Sequence, residues 1–388
     1  MKLICVIQRY GDEIVGGAEL HCRLIAAHLA KDHSVEIVTT CALNYLTWEN
    51  VYPSGTSMSG GLPVHRFPAV RHRPDDFDSL AYHTLYGHPT PAEQRTYLEA
   101  LGPVCPELIQ YLKSRTDVDR FIVFSYRYWT AVRAIEAIAD RAVLVPTAEH
   151  DRTLYLGIYR DVFRQPGAIA YNSIEERRLI NDVSGNHDVP GVTVGVGLPQ
   201  TAPAPDSVLR ELDVKPPYFL YIGRIEEAKG CPGMIRDYRS LCAMMDHPPR
   251  LFLIGKREMT LPSEPGLCHL GILPDDVKLT VLAGATALIM PSRYESLSMV
   301  VLEAWRMHRP VLCNARCEVL RGQCIRAGGG LYYRTSDEFL EAAMLLTENT
   351  QLADTLGMQG NQYYNSHYSW TTILGKYRRL LAFQGDVA

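Results

Sequence analysis

Short apolar runs recur along this chain, each followed by a stretch with helical spacing, and the whole series occurs twice. In the first half the runs are LICVIQ from Leu3, VEIVTT from Val35, FIVFS from Phe121, AVLVP from Ala142 and AIAYN from Ala168. In the second half they are YFLYIG from Tyr218, RLFLIG from Arg250, ALIMP from Ala287 and PVLCN from Pro310. Apolar runs without alternation belong to strands covered on both faces, which means parallel sheets clothed in helices. The fold class is therefore α/β. A chain of 388 residues exceeds a single core, so each series is expected to form its own doubly wound, Rossmann-like lobe. Between them, residues 197–208 read GLPQTAPAPDSV, rich in Pro and Ala and without periodicity, as a linker does. The expected layout is an N-terminal lobe at 1–197, a C-terminal lobe at 208–365 and a final helix at 366–388 that packs back on the first lobe. That tail, YSWTTILGKYRRLLAF, is amphipathic with basic residues on one side. Two such lobes facing each other leave a cleft, and ligands of open α/β sheets bind beyond the carboxyl ends of the strands.

Composition narrows the function. A formal net charge of −4 gives no bulk attraction for nucleic acid or anionic membrane, while leaving a local basic face open. The opening MKLICVIQRYG has too short an apolar run for a signal peptide and reads as a buried strand. No stretch approaches the roughly 18 apolar residues of a spanning helix. The ten cysteines are scattered and read as reduced thiols of a cytoplasmic protein. Cys313, Cys317 and Cys324 cluster without CxxC spacing and are expected in the core rather than on zinc.

The chemistry concentrates in PSRYESLSMVVLEAW, residues 291–305. Glu295 is expected in a strand-to-helix loop and Glu303 about one turn into the helix. The first amides of that helix, around Ser298, Met299 and Val300, are free donors at a positive dipole end, and so suit an anion. A carboxylate beside an anion needs neutral donors, and sugar hydroxyls are such donors. A nucleotide sugar fits this set: phosphates at the helix end, sugar hydroxyls at Glu295, ribose hydroxyls at Glu303. The plain alternative is a surface glutamate plus one that favours the dipole. GRIEEAKG, following a strand, adds Arg224 and Lys229 as a diphosphate clamp, or else as surface charges satisfied by Glu226 and Glu227. In VGGAEL, Gly16 and Gly17 can bring amides to a ligand, although GxGxxG is absent. His150, in AEHD just past a strand, can bond a sugar hydroxyl or the acceptor. Residues 41–115 break the alternation and read as a functional loop or inserted subdomain. Its Trp48, Tyr52, Tyr82 and Tyr86 are acceptor-stacking candidates, with packing onto the first sheet as the alternative. The strings Asp76-Phe77-Asp78 and Asp117-Val118-Asp119 are read as solvated acids, not as a metal site.

Together these pieces resemble the retaining glycosyltransferases of family 4, which have the GT-B fold of two facing lobes. The specific part is E-x7-E, here Glu295 and Glu303. GRIEEAKG, VGGAEL, AGGGLYY from Ala327 and YNSIEERRLI from Tyr171 match more loosely. The resemblance implies that the C-terminal lobe holds a sugar-nucleotide donor at Arg224, Lys229, Glu295, Ser296, Leu297, Ser298, Met299, Val300 and Glu303. It implies an acceptor on the N-terminal lobe, His150 in a catalytic role, and no obligatory metal or cofactor. UDP-glucose is the first expectation on family frequency, and a GDP sugar the next. The acceptor would be a glycan or a lipid-linked sugar, with peripheral association at the inner membrane face. One departure stands out: the family often has Gly-Phe-Gly after its first glutamate, where this chain has Ser296, Leu297 and Ser298, which narrows the sugar pocket. A nucleotide-sugar epimerase of the same fold and a non-catalytic bilobal sugar-binding protein stay open as alternatives.

Overall fold

The computed structural model describes residues 1–14 and 16–382. They form two compact units: residues 1–196 together with the chain from Ile373 onward, and Gly197–Thr372. In the first unit the strands are β1 (Lys2–Val6), β2 (Ser34–Thr40), β3 (Gly55–Ser59), β4 (Leu62–Phe67), β5 (Arg120–Phe124), β6 (Ala142–Val145), β7 (Ala168–Tyr171) and β8 (Gly191–Thr193). Its helices are α1 (Gly17–Leu29), α2 (Phe77–Tyr86), α3 (Pro91–Leu101), α4 (Pro106–Ser114), α5 (Trp129–Ile138), α6 (Arg160–Arg164) and α7 (Ile174–Ser184). The sheet runs β3-β4-β2-β1-β5-β6-β7-β8 and is parallel except for the β3–β4 hairpin.

Residues 41–115 are built into this unit and do not hang from it as a loop. Ser59 pairs with Leu62 across Gly60 and Gly61, whose φ values are +58° and +77°. Two positive φ angles are what a tight two-residue hairpin turn demands, and glycine meets that without strain. Leu98 and Leu101 of α3 and Leu108 and Leu112 of α4 then sink into the same core as Phe121, Val123 and Ile135. At its start α3 has a capping box, Thr90 with Glu93, and Pro91 at the first turn.

The second unit contains β9 (Tyr218–Ile222), β10 (Arg250–Ile254), β11 (Leu267–Gly271), β12 (Ala287–Met290), β13 (Val311–Asn314) and β14 (Gly330–Tyr333). Its helices are α8 (Ser207–Glu211), α9 (Cys231–Met244), α10 (Asp275–Ala283), α11 (Met299–Arg306), α12 (Glu318–Ala327), α13 (Ser336–Glu348) and α14 (Thr350–Tyr368). The sheet is wholly parallel in the order β11-β10-β9-β12-β13-β14. This is the doubly wound order in which the winding reverses between the first and fourth strands, here β9 and β12. Every apolar run singled out in the sequence is a strand of one sheet or the other.

The last helix, α15 (Trp370–Leu381), buries Ile373, Tyr377, Leu380 and Leu381. Within the first unit, Tyr377 lies beside Cys5 and Cys22, and Lys376 Nζ donates to the Val194 carbonyl at 3.2 Å. In the second unit, Trp305 fixes α11. Its indole N–H donates to the Gly329 carbonyl at 2.8 Å, and its ring fills the space beside Gly360 of α14.

A Cβ on Gly360 would fall 2.2 Å from Trp305 Cδ1. We expect Gly360→Ala to destabilise the protein by about 1–3 kcal/mol, as for an overpacked core. Gly375→Ala, on α15 with nothing within 4 Å of the new Cβ, should instead be neutral or stabilising by up to ~1 kcal/mol through helix propensity. Urea unfolding of both variants checks the pair, and equal effects would remove the claim that Trp305 packing against Gly360 fixes α11.

Candidate functional site

The reversal between β9 and β12 puts two loops side by side at the carboxyl edge of the second sheet. The β9 loop carries Arg224 and Lys229, and the β12 loop carries Glu295. Their side chains meet: Lys229 Nζ donates to Glu295 Oε1 at 2.9 Å, and both are mostly buried. Arg224 is held by its backbone, whose carbonyl accepts from the Tyr221 hydroxyl at 2.7 Å. Its guanidinium stays half exposed and pairs with Glu226 at 3.0 Å.

Beyond Glu295 the chain enters α11. Ser298 is the cap, its Oγ accepting from the Val301 amide. Among the described residues, the amides of Met299 and Val300 have no acceptor, so the helix start keeps donor capacity. Ser296 and Leu297 are half-buried between the carboxylate and the cap, and Ser298 is buried. Glu303, the fifth residue of α11, is buried. Its Oε1 accepts from Lys278 of α10 at 3.1 Å, whereas its buried Oε2 has no partner among the described residues. Burial pushes this carboxyl above its ordinary pKa, and Lys278 opposes that shift. Burial acts on Lys278 in the other direction, but Glu303 and Asp275 outweigh it and the ammonium is held charged. Lys278 was not foreseen: DDVKL looks like any surface helix, and only the packing of α10 on α11 gives its lysine a role.

The first unit places the remaining candidates. Gly16 caps α1, and a Cβ there would fall 2.1 Å from Glu19 Oε2. The space before Gly16 is thus taken by the chain's own carboxylate, which Arg9 Nη2 (2.5 Å) and Gln8 Nε2 (3.1 Å) hold in place. Gly17 is exposed, with open space where a Cβ would stand. His150 is exposed and tilted against Tyr155, ring centroids 5.7 Å apart. Its loop is pinned by Glu176, wholly buried, whose oxygens accept from the amides of Ala148 (2.6 Å) and Asn172 (2.5 Å). Burial raises the Glu176 pKa to about 8.

The four aromatic candidates separate. Tyr82 and Tyr86 are exposed and stacked, centroids 4.9 Å apart, with Arg152 over Tyr86 at 4.2 Å. Tyr52 is half-buried beneath Arg66, 4.5 Å from its ring. Trp48 corrects the expectation. It is 1% exposed, donates from Nε1 to the Leu101 carbonyl at 2.6 Å and meets Tyr128 edge-on, so it offers no face to a ligand. The paired acids differ. Asp76 stands at the N-cap position of α2 without a side-chain capping bond, while Asp117 is ion-paired with Arg115 and Lys2 at the start of β1. Cys313, Cys317 and Cys324 are buried; the Cys324 thiol and burial push Cys313 far up, and burial pushes Cys317 to about 12. No helix of the described residues is long and apolar enough to cross a membrane.

Removing one member of a buried ion pair leaves the other charge stranded. We expect Lys278→Met to cost about 3 kcal/mol in denaturant unfolding, and Lys278→Met with Glu303→Leu to recover most of that loss. Additive losses would show that the pair is not coupled.

The sequence pattern of the family described as glycosyl transferases group 1 matches residues 209–363, which lie in the second unit. The sequence has no recognisable relative among curated proteins. Similar solved structures include the sucrose-phosphate synthase of Thermosynechococcus elongatus, 15% identical over 98% of this chain and 99% of that one, TM-score 0.70. An E. coli trehalose-6-phosphate protein solved with UDP-2-fluoro glucose is 12% identical over 98% and 99%, TM-score 0.72. HepE from Anabaena, in complex with UDP and glucose, is 15% identical over 98% and 99%, TM-score 0.69. At these identities the likeness establishes the fold, the two-lobe α/β architecture of GT-B proteins.

Proposed function

We propose that this protein is a retaining glycosyltransferase whose second unit binds a nucleotide-diphosphate sugar. The observation that carries the reading is the buried Glu303 Oε2 without a donor, at the end of the loop and helix that also present Glu295 and two open amides. An orphaned carboxylate oxygen calls for a hydroxyl donor. A ribose supplies a pair of them, and its diphosphate then falls to the amides of Met299 and Val300. Support comes also from the family match over 209–363 and from the similar fold of proteins solved with UDP or a UDP sugar.

In this reading Arg224 and Lys229 neutralise the diphosphate, as preorganised charge stabilisers do. Lys229 is already neutralised by Glu295 before the donor binds. Arrival of the diphosphate draws the ammonium toward phosphate and frees the carboxylate to accept from sugar hydroxyls. One contact thereby serves both partners, and holds each charge in place until then. The bond from the anomeric carbon to the leaving phosphate breaks through an oxocarbenium-like state. The acceptor oxygen bonds to the anomeric carbon on the same face while the leaving oxygen takes its proton, which retains configuration and needs no metal. The first unit bears the acceptor, with His150 as a hydrogen-bonding group and Tyr82 with Tyr86 as an exposed stacking face. UDP-glucose is the first donor to test and a GDP sugar the next. The acceptor class is a glycan or a lipid-linked sugar at the cytoplasmic membrane face.

The test is release of nucleoside diphosphate from a panel of nucleotide sugars, with and without glycan acceptors. We expect acceptor-dependent release that survives excess chelator and drops about 10²-fold or more in Lys229→Ala and in Glu295→Gln. A protein that turns over no nucleotide sugar, or variants with unchanged rates, would contradict the proposal.

A further inference from the structure

A pocket opens on the same edge of the second unit, walled in part by the two loops that carry Lys229 and Glu295. Its volume is about 550 Å³, within the range of small-molecule sites. It lies off the ends of β9, β12, β13 and β14, between the starts of α9 and α13. Four arginines line it, one from each surrounding segment: Arg236 of α9, Arg293 after β12, Arg316 after β13 and Arg334 after β14.

None of these four guanidiniums has a hydrogen bond or an ion pair among the described residues. Arg239, three residues beyond Arg236 on the same helix, is clamped to Glu264, and Arg224 and Arg250 are paired with Glu226 and Asp213. The acids on the pocket wall are Glu227 and Asp237, and Asp237 already accepts from the Ser336 hydroxyl at 2.7 Å. Four positive groups against two negative ones leave an excess of two positive charges around a concave space. Tyr294, 44% exposed, and Tyr333, set edge-on against Phe339, add flat polar-edged walls. Unpaired guanidiniums around a cavity suit the planar, multidentate recognition of phosphate.

We propose that this pocket binds a phosphomonoester, held by Arg236, Arg293, Arg316 and Arg334. It is separate from the nucleotide diphosphate assigned to Arg224 and Lys229. Because it shares the 227–230 and 291–294 segments with that pair, its occupancy bears on how Lys229 and Glu295 are presented.

The experiment is calorimetric titration of inorganic phosphate and of a hexose 6-phosphate into the full-length protein with uridine diphosphate at saturation, and the unphosphorylated hexose as control. We expect saturable binding of both phosphates and none of the neutral sugar. In Arg236→Ala/Arg334→Ala the dissociation constant should rise by about tenfold or more, while uridine diphosphate affinity stays within about twofold. A hexose phosphate about tenfold tighter than inorganic phosphate assigns the pocket to a phosphorylated sugar, and equal affinities assign it to free phosphate. If neither uridine nor guanosine diphosphate binds, the proposed function fails, and the phosphate titration on an Arg224→Ala/Lys229→Ala background still decides the pocket. Absence of saturable phosphate binding, or binding that the double variant leaves unchanged, overturns the inference.

Discussion

A buried carboxylate with one oxygen on a lysine and the other on nothing is an unfavourable arrangement, and the second unit is organised around one. Glu303 cannot leave, because α11 is held by Trp305 against α14 and the Gly329 carbonyl. Its one charged partner among the described residues is Lys278, which it shares with Asp275. A missing hydrogen bond at such a site is worth about 1–3 kcal/mol. Stability alone would favour filling it with an apolar pair. The arrangement makes sense if a ligand provides the missing donor, and then the same free energy appears as binding.

The other half of the site follows a similar logic. Lys229 and Glu295 come from strands that are neighbours in the sheet but far apart in the chain, and only the reversal of winding between β9 and β12 brings them together. Each is the other's counterion, a pairing that the proposed donor would replace with its diphosphate and its sugar. The pair is thus the point at which strand order becomes chemistry.

Much of this was legible in the sequence because it is local. The apolar runs became strands because buried parallel strands need continuous apolar surface. Ser298 and the glutamate eight positions from its partner lie within one loop and one helix, so spacing alone places them. The hairpin was also legible but overlooked: Gly60-Gly61, flanked by TSMS and LPVHRF, is a two-residue turn signal hidden in a polar stretch. Other features depend on packing between distant elements. Nothing about DDVKL announces that Lys278 will meet Glu303. Nothing in NYLTWEN separates a tryptophan that stacks on a sugar from one that fills a core; Trp48 is fixed by Leu101 and Tyr128, more than fifty positions away. Likewise the four arginines of the basic pocket stand on four segments that only the sheet aligns.

The claim on which the account rests is that Glu303 Oε2 waits for a ribose. Comparing the affinities of uridine diphosphate and its 2′,3′-dideoxy analogue tests it most directly. In the native protein the natural nucleotide should bind about tenfold or more tightly, as expected for a hydrogen bond to a charged group, and the ratio should fall to about one in Lys278→Met/Glu303→Leu. Equal affinities in the native protein, or a preference that survives in the double variant, would contradict it.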